Sequence, residues 1–480
     1  MVDDSNSNIS NTTNTLGPQR PMSAASFVPP GFARSLGVKF FLVGFLTVAL
    51  TVPLFAVWLL TMDRADTQRR AITEIGAQWG REQVLTGPFV AVKATKLVVE
   101  NTNNGGQRQQ RVATTLLFPP DTYDVAMDIE PQTRRRGIFE AVVYSADVKT
   151  GAQFDNIQSR ELPPGIVAVD WDSARLVTAL TDMKGIENVE TMLAGRAVAD
   201  PVPGTAITSL PGYAGFHHPL DADDVDGPFA VDQTLRFRGS AGLQVSPVGA
   251  DTRVSMVSSW PHPSFSGKFL PSSREISDTG FRSSWQIPQL ARQIPPVIDV
   301  SARGMARFLF ESEVLGARLY QPVDYYRLVD RAVKYGVLFV SAAFLVVFII
   351  EVLSGKRMHI VHYAMTGLMV VVFYVLLLAL AERLGFAYAY AIASGATGGV
   401  IAAFTASVFN GRAWTLMAVG GFTALYGLLF VILSMEDFAL LAGAISAFVV
   451  LTGVMFATRD TDWSGRNTVT DTAPPAPSAN

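Results

Sequence analysis

The sequence predicts an α-helical polytopic membrane protein with six spans in a one-plus-five arrangement. A large β-rich, sandwich-like α+β domain is inserted between the first and second spans. Three observations predict it. One apolar stretch lies at 38–60 and five more crowd into 333–457, each near the 20 or so residues that a bilayer-crossing helix needs. The insert, residues 61–332, is polar and carries β-branched runs punctuated by Pro and Gly. Only 16% of the 480 residues are charged, against a usual share of about a quarter, and the deficit falls in the apolar stretches.

Taken in order, residues 1–37 form a cytoplasmic tail rich in Ser, Asn and Thr, with too little apolar periodicity to fold. The first span, 38–60, tolerates Pro53 as a kink. It leads into Met62-Asp63-Arg64 without a small-x-small cleavage site, so it reads as an uncleaved signal anchor. Ile72, Ile75 and Trp79 then recur at helical spacing, and Gly87-Pro88 ends that pattern. Strands are expected near 89–99, 111–118, 138–148, 165–179, 229–237 and 253–259. The later spans read as 333–353, 363–381, 386–409, 413–433 and 438–457, followed by a cytoplasmic tail, 458–480, with an Ala-Pro-Pro-Ala-Pro run.

Short-loop cations set the orientation. Arg34 and Lys39 flank the start of the first span, Lys356 and Arg357 lie between spans two and three, Arg412 between four and five, and Arg459 and Arg466 after span six. The alternate loops hold Glu382-Arg383 and Glu436-Asp437. Both termini are therefore expected in the cytoplasm and residues 61–332 in the periplasm. Arg64, Arg69 and Arg70 disagree, but long domains translocate largely regardless of charge.

Composition also limits chemistry. There is no cysteine, so disulfides, thiolate metal sites and a cysteine nucleophile are excluded. A net charge of −3 offers no basic face for nucleic acid. No H-E-x-x-H, G-x-S-x-G or Walker lysine occurs, and no catalytic residue, metal or cofactor is expected. His217-His218 are adjacent with no third ligand in sight.

Some residues still stand out. The segment 260–271 holds three prolines and cannot be a central strand. It is expected to close one edge of the core, with Trp260, His262, Ser264 and Phe265 as the candidate ligand or partner loop. Arg331, Lys334, Glu351 and Glu382 are candidate membrane-interface residues, Glu351 beside Lys356, Arg357, His359 and His362, and Glu382 paired with Lys334 or Arg331. Gly395 and Gly399, and Gly443 with Ala447, form small-x-x-x-small pairs expected to pack helices closely.

Several motifs carry a resemblance. Arg136-Gly137-Ile138-Phe139-Glu140, the 260–271 loop, Pro322-Val323-Asp324 with Arg331-Ala332-Val333-Lys334-Tyr335, Phe373-Tyr374 leading to Glu382, and Thr458-Arg459-Asp460 with Trp463 together resemble the CreD family, in order, over about residues 64–463. The long N-terminal tail departs from it. The resemblance implies an inner-membrane protein tied to envelope maintenance, to a two-component regulon responding to envelope stress and β-lactams, and to colicin tolerance. It implies no enzymatic activity. The leading expectation is a non-enzymatic protein whose outer domain binds or senses an envelope component: a protein, peptidoglycan or a lipid. A transporter or flippase-like carrier and an envelope hydrolase remain alternatives, and the lipid bilayer itself is the one assured partner.

Overall fold

The computed structural model describes residues 36–101, 107–207, 214–292, 294–301, 313–319, 325–409, 411–435 and 439–459. Nearly all of both predicted tails, the Pro322-Val323-Asp324 motif and the Glu436-Asp437 pair lie outside them. The chain divides into two compact units. One holds the chain up to Trp58, Arg331–Leu377 and the chain from Ala387 on; the other holds Leu59–Asp330 and Leu378–Phe386.

The second unit is built on strands. They are β1 (Gln83–Asn101), β2 (Gln107–Phe118), β3 (Thr122–Arg136), β4 (Phe139–Phe154), β5 (Ile166–Leu180) and β6 (Ile186–Leu193). Next come β7 (Arg196–Ala197), β8 (Val202–Pro203), β9 (Ala214–Pro219), β10 (Phe229–Ser240), β11 (Gly242–Ser246) and β12 (Asp251–Ser258). The last are β13 (Pro263–Gly267), β14 (Ser273–Ser277), β15 (Gly280–Ile287), β16 (Ile298–Asp299) and β17 (Leu315–Leu319). Sheet A runs β13-β17-β11-β1-β5-β9-β8, with β2 on β1 and β16 on β2; sheet B runs β14-β15-β12-β3-β4-β10-β6-β7.

Side-chain alternation explains why the two sheets stack. Along β3, Tyr123, Val125, Met127 and Ile129 are buried while Asp124, Ala126, Asp128 and Glu130 are exposed. The inward rows of both sheets meet in one core that includes Leu85, Val92, Phe118, Tyr144, Phe237 and Leu243. Each such side chain contributes roughly 1.5–3 kcal/mol by leaving water. Strand β3 lies outside the expected β-branched runs, because its period-2 alternation is carried by Tyr, Met and acidic residues rather than by a β-branched run.

Gly87-Pro88 ends no helix. The helix stops at Trp79, and the dipeptide sits inside β1 at a shift in its pairing with β5 between Thr86 and Phe89. Gly87 has φ +108°, and a Cβ there would stand 2.7 Å from the Val177 carbonyl oxygen. Before the shift β1 pairs in parallel with β11; after it, β1 pairs antiparallel with β2. Both outer faces are partly covered: Ile75 with Ile72 and Trp79 lies on Ala141 and Val143 of sheet B, and Ile298 and Val300 lie with Phe89, Leu117 and Val177 of sheet A.

The helices are α1 (Leu36–Trp79), α2 (Tyr325–Lys334), α3 (Gly336–Ser354), α4 (Ile360–Leu384), α5 (Phe386–Phe409), α6 (Arg412–Ser434) and α7 (Ala439–Thr458). Among the described residues five helices, α1, α3, α4, α5 and α6, are long and apolar enough to cross a membrane, and α7 adds a further apolar helix of 20 residues. Phe339, Phe373 and Tyr426 form the aromatic heart of the bundle, with ring centroids 4.9 Å apart for Phe339–Tyr426 and 5.0 Å for Phe373–Tyr426.

The close helix contacts fall on other glycines than those expected. Gly395, Gly399 and Gly443 have open space where a Cβ would go, and Gly395 and Gly399 are exposed. A Cβ on Gly367 would meet Leu50 of α1 at 2.3 Å and Phe344 of α3 at 2.7 Å; one on Gly421 would meet Val346 at 2.8 Å, and one on Gly398 would meet Tyr426 at 3.1 Å. Spacing identifies a helix face made of small residues, but not the neighbour which that face meets. Here Gly398, about 100° around the helix from Gly399, is the one turned inward.

Candidate functional site

Sheet B presents an outward face whose centre is hollow. The register across β15, β12, β3, β4 and β10 aligns two rows of outward side chains. One row is Ser284, Ser255, Ala126, Lys149 and Thr234; its neighbour is Gln286, Arg253, Asp124, Gly151 and Asp232. Five of these ten are small, so the floor drops between longer side chains and leaves a cavity of about 560 Å³. That lies within the range of roughly 300–1,000 Å³ usual for ligand clefts. Trp285 lies behind the floor, only 2% exposed, with its indole N–H donated to the Phe269 carbonyl at 3.1 Å.

Charge in the trough is balanced and only half used. Arg253 donates to Asp124 at 3.3 Å. The Lys149 ammonium and the Asp232 carboxylate have no side-chain ion pair or hydrogen bond among the described residues. Gly151, which pairs with Asp232 across the strands, leaves the space over which that carboxylate leans; a Cβ there would stand 3.5 Å from Asp232 Oδ1.

The 260–271 segment has a different job from the one expected for its aromatics. Among the described residues Pro263–Gly267 is an end strand that pairs with β17 alone, a position that suits a leading Pro. Phe265 packs edge-on to Phe281 at 5.8 Å and to Trp285 at 5.9 Å, and Trp260 packs against the same core. His262 and Ser264 stay exposed. Two core anchors and two surface polar residues therefore make no shared platform. Behind this segment, Glu313 accepts from Arg292 Nε at 2.6 Å and pairs with Lys268. Burial alone would raise the Glu313 pKa, but the two cations hold it below its ordinary value.

The two adjacent histidines do not form a metal pair, since successive residues on β9 point to opposite faces. His217 Nδ1 lies 2.6 Å from the Gly204 carbonyl and must carry the proton, which leaves Nε2 to accept from Arg175 at 3.2 Å. His218 Nδ1 donates to the Ala199 carbonyl at 2.9 Å, while its Nε2 is buried without a partner. Burial holds the His218 pKa below its ordinary value. Among the described residues no group of three metal-ligating side chains occurs.

The candidate membrane-interface residues are engaged. Glu351 is buried and accepts from the Met358 amide at 3.0 Å, from the Tyr363 hydroxyl at 2.7 Å and from Lys39, 312 residues away in sequence. None of its expected neighbours supplies the charge. Glu382 accepts from the Tyr326 hydroxyl at 3.0 Å and lies 3.8 Å from Arg64. Arg331 donates to the Leu433 carbonyl at 3.3 Å, and Lys334 is exposed at the end of α2.

Comparison with known proteins bears on this layout of long apolar helices and a two-sheet domain. Residues 35–464 match the family described as Inner membrane protein CreD. The chain belongs to the CreD family. Inner membrane protein CreD of Escherichia coli (strain K12) is 30% identical over 422 residues, covering 86% of this chain and 90% of that relative. CreD membership and the apolar helices together make this a multi-pass inner-membrane protein. A solved structure from Legionella pneumophila subsp. pneumophila str. Philadelphia 1, of a candidate nutrient binding protein, aligns over 65% of this chain and 96% of that chain. Its identity of 8% and TM-score of 0.27 are too slight to bear on fold or ligand.

Proposed function

We propose that this CreD-family protein is a non-enzymatic envelope-integrity factor. Its β domain faces the periplasm and binds an envelope component in the sheet B trough, and its helical unit serves as anchor. The observation that carries the reading is the trough itself: a 560 Å³ hollow floored by small outward residues, with a lysine and an aspartate unengaged. Ala126 and Gly151, central to that floor, are poor strand formers, so sheet stability alone does not account for them.

Two further points support the reading. The cations that disagreed with a periplasmic insert are partly neutralised, Arg64 by Glu382 and Arg69 by Asp66 at 3.2 Å. The buried carboxylate of the helical unit, Glu351, is held by Lys39, Tyr363 and the chain itself, which suits a fixed joint better than a carrier site that must release its charge.

The test is photocrosslinking in living cells from an unnatural residue at Ser255 or Ser284, with Val167 on sheet A as control. Capture of one envelope component from the trough positions but not from 167 is expected. Equal capture at all three, or none in the trough, would remove the binding role.

A further inference from the structure

The trough carries more than a statement that something binds; this inference rests on the reading above and names the ligand class. The geometry points to an extended peptide bearing an amine and a carboxylate on side chains two residues apart.

Charge and spacing make the argument. Of the ten outward trough residues, Arg253 and Lys149 are basic and Asp124 and Asp232 acidic. A polyanion or a polycation therefore meets repulsion as often as attraction. Lys149 pairs with Thr234, and Gly151 with Asp232, so Lys149 and Asp232 are diagonal neighbours on one face, a separation of roughly 7–8 Å. An extended chain rises about 3.3–3.4 Å per residue, and alternate side chains share a face. Residues i and i+2 of such a chain thus present their groups about 7 Å apart. A carboxylate over Lys149 and an amine over Asp232 satisfy both charges at once; Gly151 leaves room for the backbone on the diagonal, and Ala126, Ser255 and Ser284 leave room for the rest of the chain beyond Lys149.

Other ligand chemistries fit less well. A glycan is commonly held by stacking on an aromatic face, and the nearest ring, Trp285, is covered by the floor. An acyl chain would bury the Lys149 and Asp232 charges without partners and cover the Arg253–Asp124 pair, which is costly.

The test uses the full chain in nanodiscs and three synthetic hexapeptides, with affinity read by calorimetry. Ser-Lys-Ser-Glu-Ser-Ser has the charges two apart, Ser-Lys-Glu-Ser-Ser-Ser has them adjacent, and hexaserine has none. The first should bind at least tenfold tighter than the other two and weaken as salt is raised. Asp232→Lys should abolish that preference, the swap of Lys149→Asp with Asp232→Lys should retain it within a few-fold, and Ser255→Trp, which fills the trough, should block binding. Thermal melting of each variant checks the fold. Equal binding of the three peptides, or unchanged binding by Ser255→Trp, overturns the proposal. Capture of a component at Ser255 in cells without peptide preference leaves the binding reading standing and removes only this ligand class.

Discussion

Lys39 and Glu351 show what a single residue can hide from sequence inspection. Glu351 was visible as an ionisable group near a helix end, and its neighbours in sequence offered four candidate partners. The structure pairs it instead with Lys39 of α1, a contact that no local spacing encodes because it depends on which helices meet. Side-chain exposures of 19% and 9% put the pair partly out of water, where removing one charge strands the other. Lys39→Met or Glu351→Gln should each cost on the order of 3–5 kcal/mol. The double variant should cost less than the sum, as read by thermal unfolding of the detergent-solubilised full chain. Two additive or negligible losses would show that the pair is not a joint.

His218 gives a residue-scale prediction in pH. Burial depresses its folded-state pKa below the unfolded value near 6.5. The unfolded chain therefore binds the proton first, and the histidine's stabilising contribution is complete above about pH 6.5 and declines as pH falls through that value. Asp299 and Glu313 have depressed carboxyl pKa values, despite burial that opposes the shift, because of hydrogen bonds from Lys96, Thr114 and Ser301 and from Lys268 and Arg292. Their contributions persist until pH drops below the ordinary carboxylate range. Melting between pH 7.5 and 5.5 should thus show a loss attributable to His218, flattened by His218→Asn, whose amide can still donate to Ala199. An unchanged slope in that variant would refute the assignment.

At the level of elements, the long apolar helices stand where composition puts them, and each of the six expected strands overlaps one of the structure, while the remaining strands carry too short or too polar a run to be seen. The failures have physical reasons. Gly87-Pro88 looks like a helix stop, yet it is a bulge in the pairing with β5 that lets one long strand serve two successive partners, β11 and β2, besides β5. The small-residue ladder at Gly395 and Gly399 looked like an interface, yet those residues are exposed and the contact uses Gly398. A prediction separates the two kinds of glycine. Gly367→Val should destabilise by about 1–3 kcal/mol, because Leu50 and Phe344 must move. Gly395→Val should stay within about 0.5 kcal/mol, in the same unfolding assay. Equal effects would mean that α4 does not pack as described.

The trough belongs to the whole β domain, which is why it was not legible in advance. Ser255, Ala126, Gly151 and Ser284 lie on four strands far apart in sequence and become a floor only through a register that includes one parallel pairing. The segment singled out instead, 260–271, drew attention through its prolines and aromatics, and those aromatics are spent on the core. By contrast, the layout of one long apolar helix, a large polar insert and a cluster of apolar helices was plain, because it rests on composition over long windows. CreD membership then fixed the inner membrane as its place.

The absence of cysteine makes the most direct measurement clean. Ser255→Cys and Arg357→Cys place single thiols in the trough and in the loop between α3 and α4, and each is treated in spheroplasts with a membrane-impermeant maleimide. Labelling should be rapid at 255, absent at 357 until the membrane is opened, and slower at 255 in intact cells than in washed spheroplasts because the trough is occupied. Labelling at 357 but not at 255 would contradict the orientation, and equal rates at 255 with and without the envelope would contradict the occupied trough.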